Sequence, residues 1–425
     1  MSKQIKLEIA RENPEARCWI YSDLQLPAEK HELNDALQRA RITEQNTPYE
    51  ISVYECEALP LLPFKRLDSP TIDEMNFLAK RLDGLNEEER LVLQAVASKV
   101  LKYGEDEIVS VKDLINLTYG LDEVSIISNI SNPYELGKFT IENDLNSDVE
   151  SIPEDAVYLL DKEKIGRLQQ KNDNGVFVNG KYIIAGEYAL REVYDGKNLP
   201  LSAEEDMSDY MFKLEVTKPP EGDNLNELES MAEWLTLPCE RDKADELANK
   251  LGLDKIEDGV YIGFNSTVPQ IDADNFGDMY NFDKLNSLSE LMLQLTPSDQ
   301  VKFKAVLSAE EPDYIDKIFD VARSLEQYEF APMIVDESHF FKSYLARHLD
   351  KNFDERWLDN LVVGGSASEL LENLGGTVTD YGVVSARGGH LYNLTPRYES
   401  EVITEPTEEK EEPDEEPTEQ EIGGN

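Results

Sequence analysis

Two stretches of this chain, 210 residues apart, align without a gap, and no other feature narrows its fold as much. The first, IDEMNFLAKRLDGLNEEERLVLQAVASK, runs from Ile72 to Lys99, and the second, FDKLNSLSELMLQLTPSDQVKFKAVLSA, from Phe282 to Ala309. Asp73 falls on Asp283, Asn76 on Asn286, Leu78 on Leu288, Leu85 on Leu295, and Ala95 and Val96 on Ala305 and Val306. Self-similarity at a fixed spacing means that one structural unit occurs more than once. Ile72, Met75, Leu78, Leu82 and Leu85 recur at helical spacing and predict one buried stripe. Asn86 with Glu89, and Thr296 with Pro297 and Asp299, predict that a second helix starts at the same place in each copy.

Further echoes keep the same order. The strand pattern Ile5 to Ile9 resembles Phe212 to Val216. Trp19 and the segment from Leu26-Pro27 to Ile42 resemble Trp234 and the segment from Leu237-Pro238 to Leu253, each an aromatic, a turn and an amphipathic helix. Strand-like runs follow at Tyr49 to Cys56 and at Val260 to Phe264. A third piece pairs Ile165-Gly166-Arg167 and Gly175 to Ile183 with Leu370-Leu371 and Gly376 to Val384. The expected fold class is α+β, an elongated array of small mixed subdomains, internally duplicated. The expected divisions are 1–62, 63–125, 126–208, 209–310 and 311–398, with an acidic tail at 399–425.

The chain carries 88 Asp and Glu against 41 Lys and Arg, a net charge of −47. From Glu399 onward there are 12 acids and one lysine, so the remainder still holds 76 acids and 40 bases, a net of −36. The tail is too poor in apolar residues to fold. Charge on this scale makes a compact state repel itself, which favours an extended body and points to a positively charged partner. On the charge spacing of duplex DNA, a net of 36 corresponds to roughly 60 Å of helix. The plain alternative is a solvated acidic surface with no special task. Nucleic acid and membranes are not expected partners, because both require a basic footprint or an apolar span. The N-terminus shows no signal-peptide pattern, and Cys18, Cys56 and Cys239 form no metal spacing, which fits a reducing cytoplasm.

No constellation for catalysis, cofactor or metal stands out. His31 is expected on the polar face of a helix over 28–41, solvated. His339 reads as a packed or capping residue, and neither His348 nor His390 sits in a zinc or triad context. Gly388-Gly389 and Gly364-Gly365 lack the phosphate-loop pattern and read as turns. Asp173 and Asn174 before Gly175 lack the rest of a calcium loop.

The order of the pieces resembles the ArdA family of antirestriction proteins. The residues that carry it are Trp19, Leu26-Pro27, Glu32-Leu33, Ala36-Leu37, Ile42, Tyr49-Glu50 and Tyr54-Glu55. Next come Ile72 to Ala79, Leu82 to Leu85, Ile165-Gly166-Arg167 and Gly175 to Ile183. The resemblance covers most of residues 1–390 and is weaker in the second half, around 100–155 and around 310–360. It implies an elongated DNA mimic that fills the DNA channel of Type I restriction-modification enzymes. This chain is more than twice the family's usual length, so one chain is expected to do what a dimer does elsewhere, as a monomer or a homodimer.

Carboxylates on helix faces are the expected working groups: Asp73, Glu74, Asp83, Glu87, Glu88 and Glu89 in the first half. In the second they are Glu229, Glu233, Asp245, Glu246, Asp283, Glu290 and Asp299. Each also has an ordinary explanation as a solvated or helix-capping acid. Three rival readings remain open. One is a mimic aimed at another basic DNA-binding protein, such as a CRISPR effector, a repressor or a nucleoid protein. The second is a chaperone-like binder that works through the tail, and the third an unrecognised enzyme.

Overall fold

The computed structural model of the chain describes residues 2–14, 18–44, 46–100, 108–150, 152–200, 210–219, 232–276, 281–349, 355–360 and 365–391. Glu229 and the tail lie outside the described residues. The fold is mixed α+β, built from helices and several small, mostly antiparallel sheets.

The first half opens with β1 (Ile5–Asn13), β2 (Cys18–Leu26), α1 (Lys30–Arg39) and β3 (Glu50–Cys56), a sheet of order β2-β1-β3. Alternation in β1 buries Ile5, Leu7 and Ile9 and turns Lys6 outward. Then follow β4 (Arg66–Leu67), α2 (Ile72–Asp83), α3 (Glu87–Val100), β5 (Ile108–Val109) and α4 (Val111–Leu117), with β4 parallel to β5. The half ends with β6 (Ile126–Ser128), α5 (Pro133–Glu142), α6 (Ser147–Glu150), α7 (Lys162–Asn172), β7 (Val176–Val178) and β8 (Lys181–Ile183), sheet order β6-β8-β7. Helices α5 and α7 cross through Gly137 and Gly166. A Cβ on Gly137 would lie 1.7 Å from the Lys162 carbonyl oxygen, so no larger residue fits there.

The second half begins with β9 (Phe212–Thr217), β10 (Glu233–Leu237), α8 (Arg241–Leu251) and β11 (Val260–Ser266), sheet order β10-β9-β11. It continues with α9 (Phe282–Leu293), α10 (Pro297–Glu310) and α11 (Ile315–Arg323). It closes with β12 (Phe330–Ala331), α12 (Glu337–His348), α13 (Gly365–Asn373), β13 (Gly376–Thr379) and β14 (Gly382–Ser385), order β12-β14-β13. The first sheet of each half has its opening strand at the centre and so the same strand order, whereas the parallel pair β4–β5 has no counterpart among the described residues of the second half.

The predicted caps are present. Asn86 accepts from the Glu88 and Glu89 amides at 2.9 and 3.0 Å, and Glu89 returns a bond to the Asn86 amide at 2.9 Å. Thr296 accepts from the Asp299 amide. Both Leu-Pro bonds, 26–27 and 237–238, are cis. After each, one asparagine grips the next residue from both sides. Asn76 accepts from the Ala28 amide at 2.8 Å and donates to its carbonyl at 2.9 Å. Asn286 does the same to Cys239 at 2.8 and 3.2 Å. These side chains fasten the first helix after the sheet to the sheet's rim, and they satisfy backbone groups that water reaches poorly.

Register separates the two tryptophans that the sequence placed together. Trp19 lies opposite Glu12, whereas Trp234 lies opposite Glu215, the position that Asp23 takes against Glu8 in the first sheet.

One hydrophobic core runs from Ile5 through the helices to Ile183 and Tyr194, and a second from Phe212 to Tyr328 with Tyr381 and Val384. Smaller clusters sit around Ile130, Leu136 and Tyr182 and around Ile334, Phe340 and Val383. The segments are not strung out in chain order. Asn13 donates to the Met333 carbonyl, and Arg41 to those of Pro332 and Asp380, so the first sheet packs against the last part of the chain.

Candidate acidic surface and the contact between the halves

The predicted carboxylates divide by what they already hold. Glu74, Glu89 and Asp299 are helix caps: Glu74 takes the Thr71 amide at 2.8 Å and the Tyr194 hydroxyl at 2.9 Å, and Asp299 the Thr296 hydroxyl at 2.7 Å. Asp83 accepts from the Ser2 amide and from Gln4, both at 3.2 Å. Glu290 accepts from Asn286 at 3.3 Å. Glu88 pairs loosely with Lys181 at 3.9 Å, and Glu233 with Lys250 at 2.5 Å. Asp245 and Asp283 converge with Glu257 on Arg241, at 3.1, 3.5 and 2.6 Å. Hydrogen bonding to Glu257, first, and the surrounding acids hold the Arg241 guanidinium firmly charged, and the same bond lowers the Glu257 carboxyl. Three acids on one base leave this cluster net negative. Among the described residues, the side chains of Asp73, Glu87 and Glu246 are exposed and unpaired.

A polar interior between the halves is not foreshadowed by the residue pattern. Asp35 of α1 and Lys304 of α10 are 5% and 6% exposed, and they meet at 2.7 Å across 269 positions of chain. Lys304 also donates to Gln38 at 2.9 Å. Asp35 further accepts from Tyr381 at 2.7 Å and from Arg39 at 3.0 Å. Burial pushes the Asp35 carboxyl up, but the Lys304 charge and the three donors outweigh it and hold it below the ordinary carboxylate range. Burial is the larger effect on Lys304 and lowers its ammonium. Nearby, Arg41 is almost wholly buried with φ of 61°, and it donates to the carbonyls of Arg39, Pro332 and Asp380. Burial brings it down to about 10.

His31, expected in solvent, instead belongs to this contact. It is half-buried, lies edge-on to Tyr210 and sits 3.5 Å from Glu29, and burial lowers its imidazole. The sequence missed this because Tyr210, which also donates to Glu29, comes from the other half. His339 lies in the first turn of α12, its amide donating to the capping Asp336 side chain at 2.6 Å. His390 meets Glu329 at 2.9 Å, and His348 meets the Tyr344 carbonyl at 2.7 Å. Gly388 occupies a left-handed turn, and Gly365 begins α13.

A cleft of about 810 Å³ opens between the first sheet and the second half, lined by Lys3, Lys6, His31, Gln270 and Tyr381 among others. Beside it is a smaller cavity of about 270 Å³ at the β2 edge. Among the described residues no group of three acids, histidines or cysteines is placed to hold a metal ion, and no helix is long and apolar enough to cross a membrane.

No protein-family model matches this chain, and no curated protein matches it either.

Proposed function

We propose that this protein is a DNA decoy that occupies the DNA-binding channel of a Type I restriction-modification enzyme and blocks restriction, modification or both. One observation carries the reading. Outside the tail, 76 acids face 40 lysines and arginines, so one-to-one pairing of every base still leaves 36 carboxylates. The ordered sequence resemblance supplies the kind of target. An enzyme that grips duplex DNA presents lysines and arginines to phosphates and gains affinity by releasing counterions. Carboxylates fixed on helices draw on the same attraction and need no catalytic residue. Recognition of this kind is spread over many weak contacts, and acids such as Glu88 that hold a base only loosely still contribute to the field.

We further read the halves as two copies of one unit, so that a single cytoplasmic chain supplies what two chains supply elsewhere. The test is competition with duplex DNA for a purified Type I methyltransferase at two salt concentrations. The protein should displace DNA, and less effectively at the higher salt. Failure to displace DNA at either concentration overturns the proposal.

A further inference from the structure

One helix runs against the charge of the whole chain. Helix α7 holds Lys162, Lys164, Arg167 and Lys171 against Glu163, an excess of three bases in a protein of net charge −47. No other helix named above carries an excess of more than one. Lys164, Arg167, Leu168 and Lys171 are exposed, and their spacing puts them on one side of the helix. The opposite side is closed by α5, where a Cβ on Gly166 would lie 1.7 Å from the Pro133 carbonyl oxygen. The bases are lightly held. Lys164 is 85% exposed and meets the capping Asp161 at 3.4 Å. Arg167 pairs with Glu163 of its own helix at 2.7 Å, and Lys171 has no partner among the described residues. Helix stability does not account for them, because the helix dipole disfavours cations in the first turn, where Lys162 and Lys164 stand. Apolar surface accompanies the charge. Leu168 is half exposed, and Tyr158 and Leu159, just ahead of α7, are more exposed still.

We infer that this stripe of α7 is the docking face for the chain's own acidic end, from Glu399 onward. That segment brings 12 acids against one lysine, and Val402 and Ile403 beside the first acids supply apolar side chains for Leu168. Its tether is long. Thirty-four residues follow Leu391, and when extended they reach roughly 110 Å. Tethering also decides between occupants. Exposed ion pairs are individually weak, so three bases on one helix face hold a free partner poorly. A segment of the same chain is present at an effective concentration on the order of millimolar and needs no more than that weak hold. A second copy has no such advantage, and nucleic acid is repelled by the charge of the rest of the chain. Docking neutralises this basic face and leaves the acidic helix faces elsewhere to a basic partner. The inference does not rest on the decoy reading, since it concerns a contact within one chain.

The full-length protein is treated with a carbodiimide, which joins an amine to a carboxylate where the two already touch, and the joined peptides are mapped by mass spectrometry. Lys164 and Lys171 should be joined to glutamates of residues 399–421 about fivefold more often than the other exposed lysines are, in products of single-chain mass. High salt should abolish the preference, because the attraction is screened. The double variant Arg167→Glu, Leu168→Glu keeps both reporting lysines and should lose the preference. Both substitutions are on the exposed side, and an unchanged melting curve separates loss of docking from loss of fold. A second measurement leaves the body untouched: deletion of residues 399–425 should shift the amide resonances of residues 162–172 and leave those of α2 in place. Cross-links spread evenly over the exposed lysines, a preference that survives in the double variant, or resonances of α7 that ignore the deletion overturn the inference. Cross-linked products of twice the chain's mass would assign the face to a second copy, and duplex DNA shifting the α7 resonances of the intact chain would assign it to nucleic acid. Either result overturns it as well.

Discussion

Replacing Lys304 with methionine removes a charge from the contact between the halves while keeping much of its volume. Loss of one partner from a buried ion pair typically costs about 3–5 kcal/mol, because the other charge stays behind. Here the remaining charge is not abandoned. Asp35 keeps the Tyr381 hydroxyl at 2.7 Å and the Arg39 guanidinium at 3.0 Å. The expected cost therefore lies at the low end, about 3 kcal/mol. Changing Asp35 to Asn instead leaves Lys304 with neutral acceptors, and the ammonium, already lowered by burial, can shed its proton. That variant should lose less, about 2 kcal/mol, as for a buried hydrogen bond to a charged group. The double variant should cost less than the two singles together by about 1–2 kcal/mol of coupling. Urea denaturation followed by far-UV circular dichroism measures all four proteins. Because the pair joins two separate cores, Lys304→Met should also pull the unfolding curve into two steps. A loss below about 1 kcal/mol for Lys304→Met, or strict additivity in the double variant, would refute the view that this pair fastens the halves.

Other outcomes follow from the same geometry. Asn76→Leu strands both backbone groups of Ala28 and should cost about 3 kcal/mol, with less for the more exposed Asn286→Leu, both read from thermal or urea unfolding. The carboxyl of Asp35 is depressed in the folded state, so its stabilisation is complete above the ordinary value of 3.8 and fades as pH falls through the lower folded value. Asp35→Asn should therefore flatten the acid limb of the stability profile, and an unchanged limb would count against the assignment. In the competition assay, single changes such as Glu87→Gln should leave inhibition within about twofold. Reversal of Glu87, Glu88 and Glu89 together should weaken it at least tenfold and flatten its salt dependence. Deletion of residues 399–425 should leave most inhibition intact, whereas complete loss would favour a chaperone-like use of the tail.

What the sequence disclosed and what it hid divide along the range of the interactions. The α2 and α3 boundaries, their caps and their apolar stripe are local, set by side chains three or four residues apart, and Asn86 and Thr296 marked them directly. Asn76 and Asn286 stood at aligned positions beside the apolar stripe, and an amide kept there twice was a sign of a buried backbone contact. Its target followed a Leu-Pro turn 48 residues upstream and could not be read from spacing. His31 and Lys304 were misjudged or passed over for the opposite reason. Each sits on a helix face that is polar by its own pattern and becomes interior only when the other half covers it.

The residues that build this contact are those at which the two halves differ, and that difference limits how the chain assembles. In the alignment Asp35 falls on Glu246, Arg41 on Gly252, Lys304 on Gln94 and Tyr381 on Gly180. The contact joins α1 of the first half to α10 and the last hairpin of the second, unlike surfaces meeting. Such a heterologous contact, repeated between equivalent units, grows into a ring or a filament. Here the reciprocal positions lack the ammonium, the phenol and the buried guanidinium, so the free acid Glu246 of one chain meets no matching base at Gln94 of another. The contact closes once per chain. Sedimentation should give a mass near 48.3 kDa that does not rise with concentration. The combined substitutions Gln94→Lys, Gly180→Tyr and Gly252→Arg should restore the missing groups and produce concentration-dependent association. Polymerisation of the unaltered chain through this surface would show that something other than these four side chains determines where the contact stops.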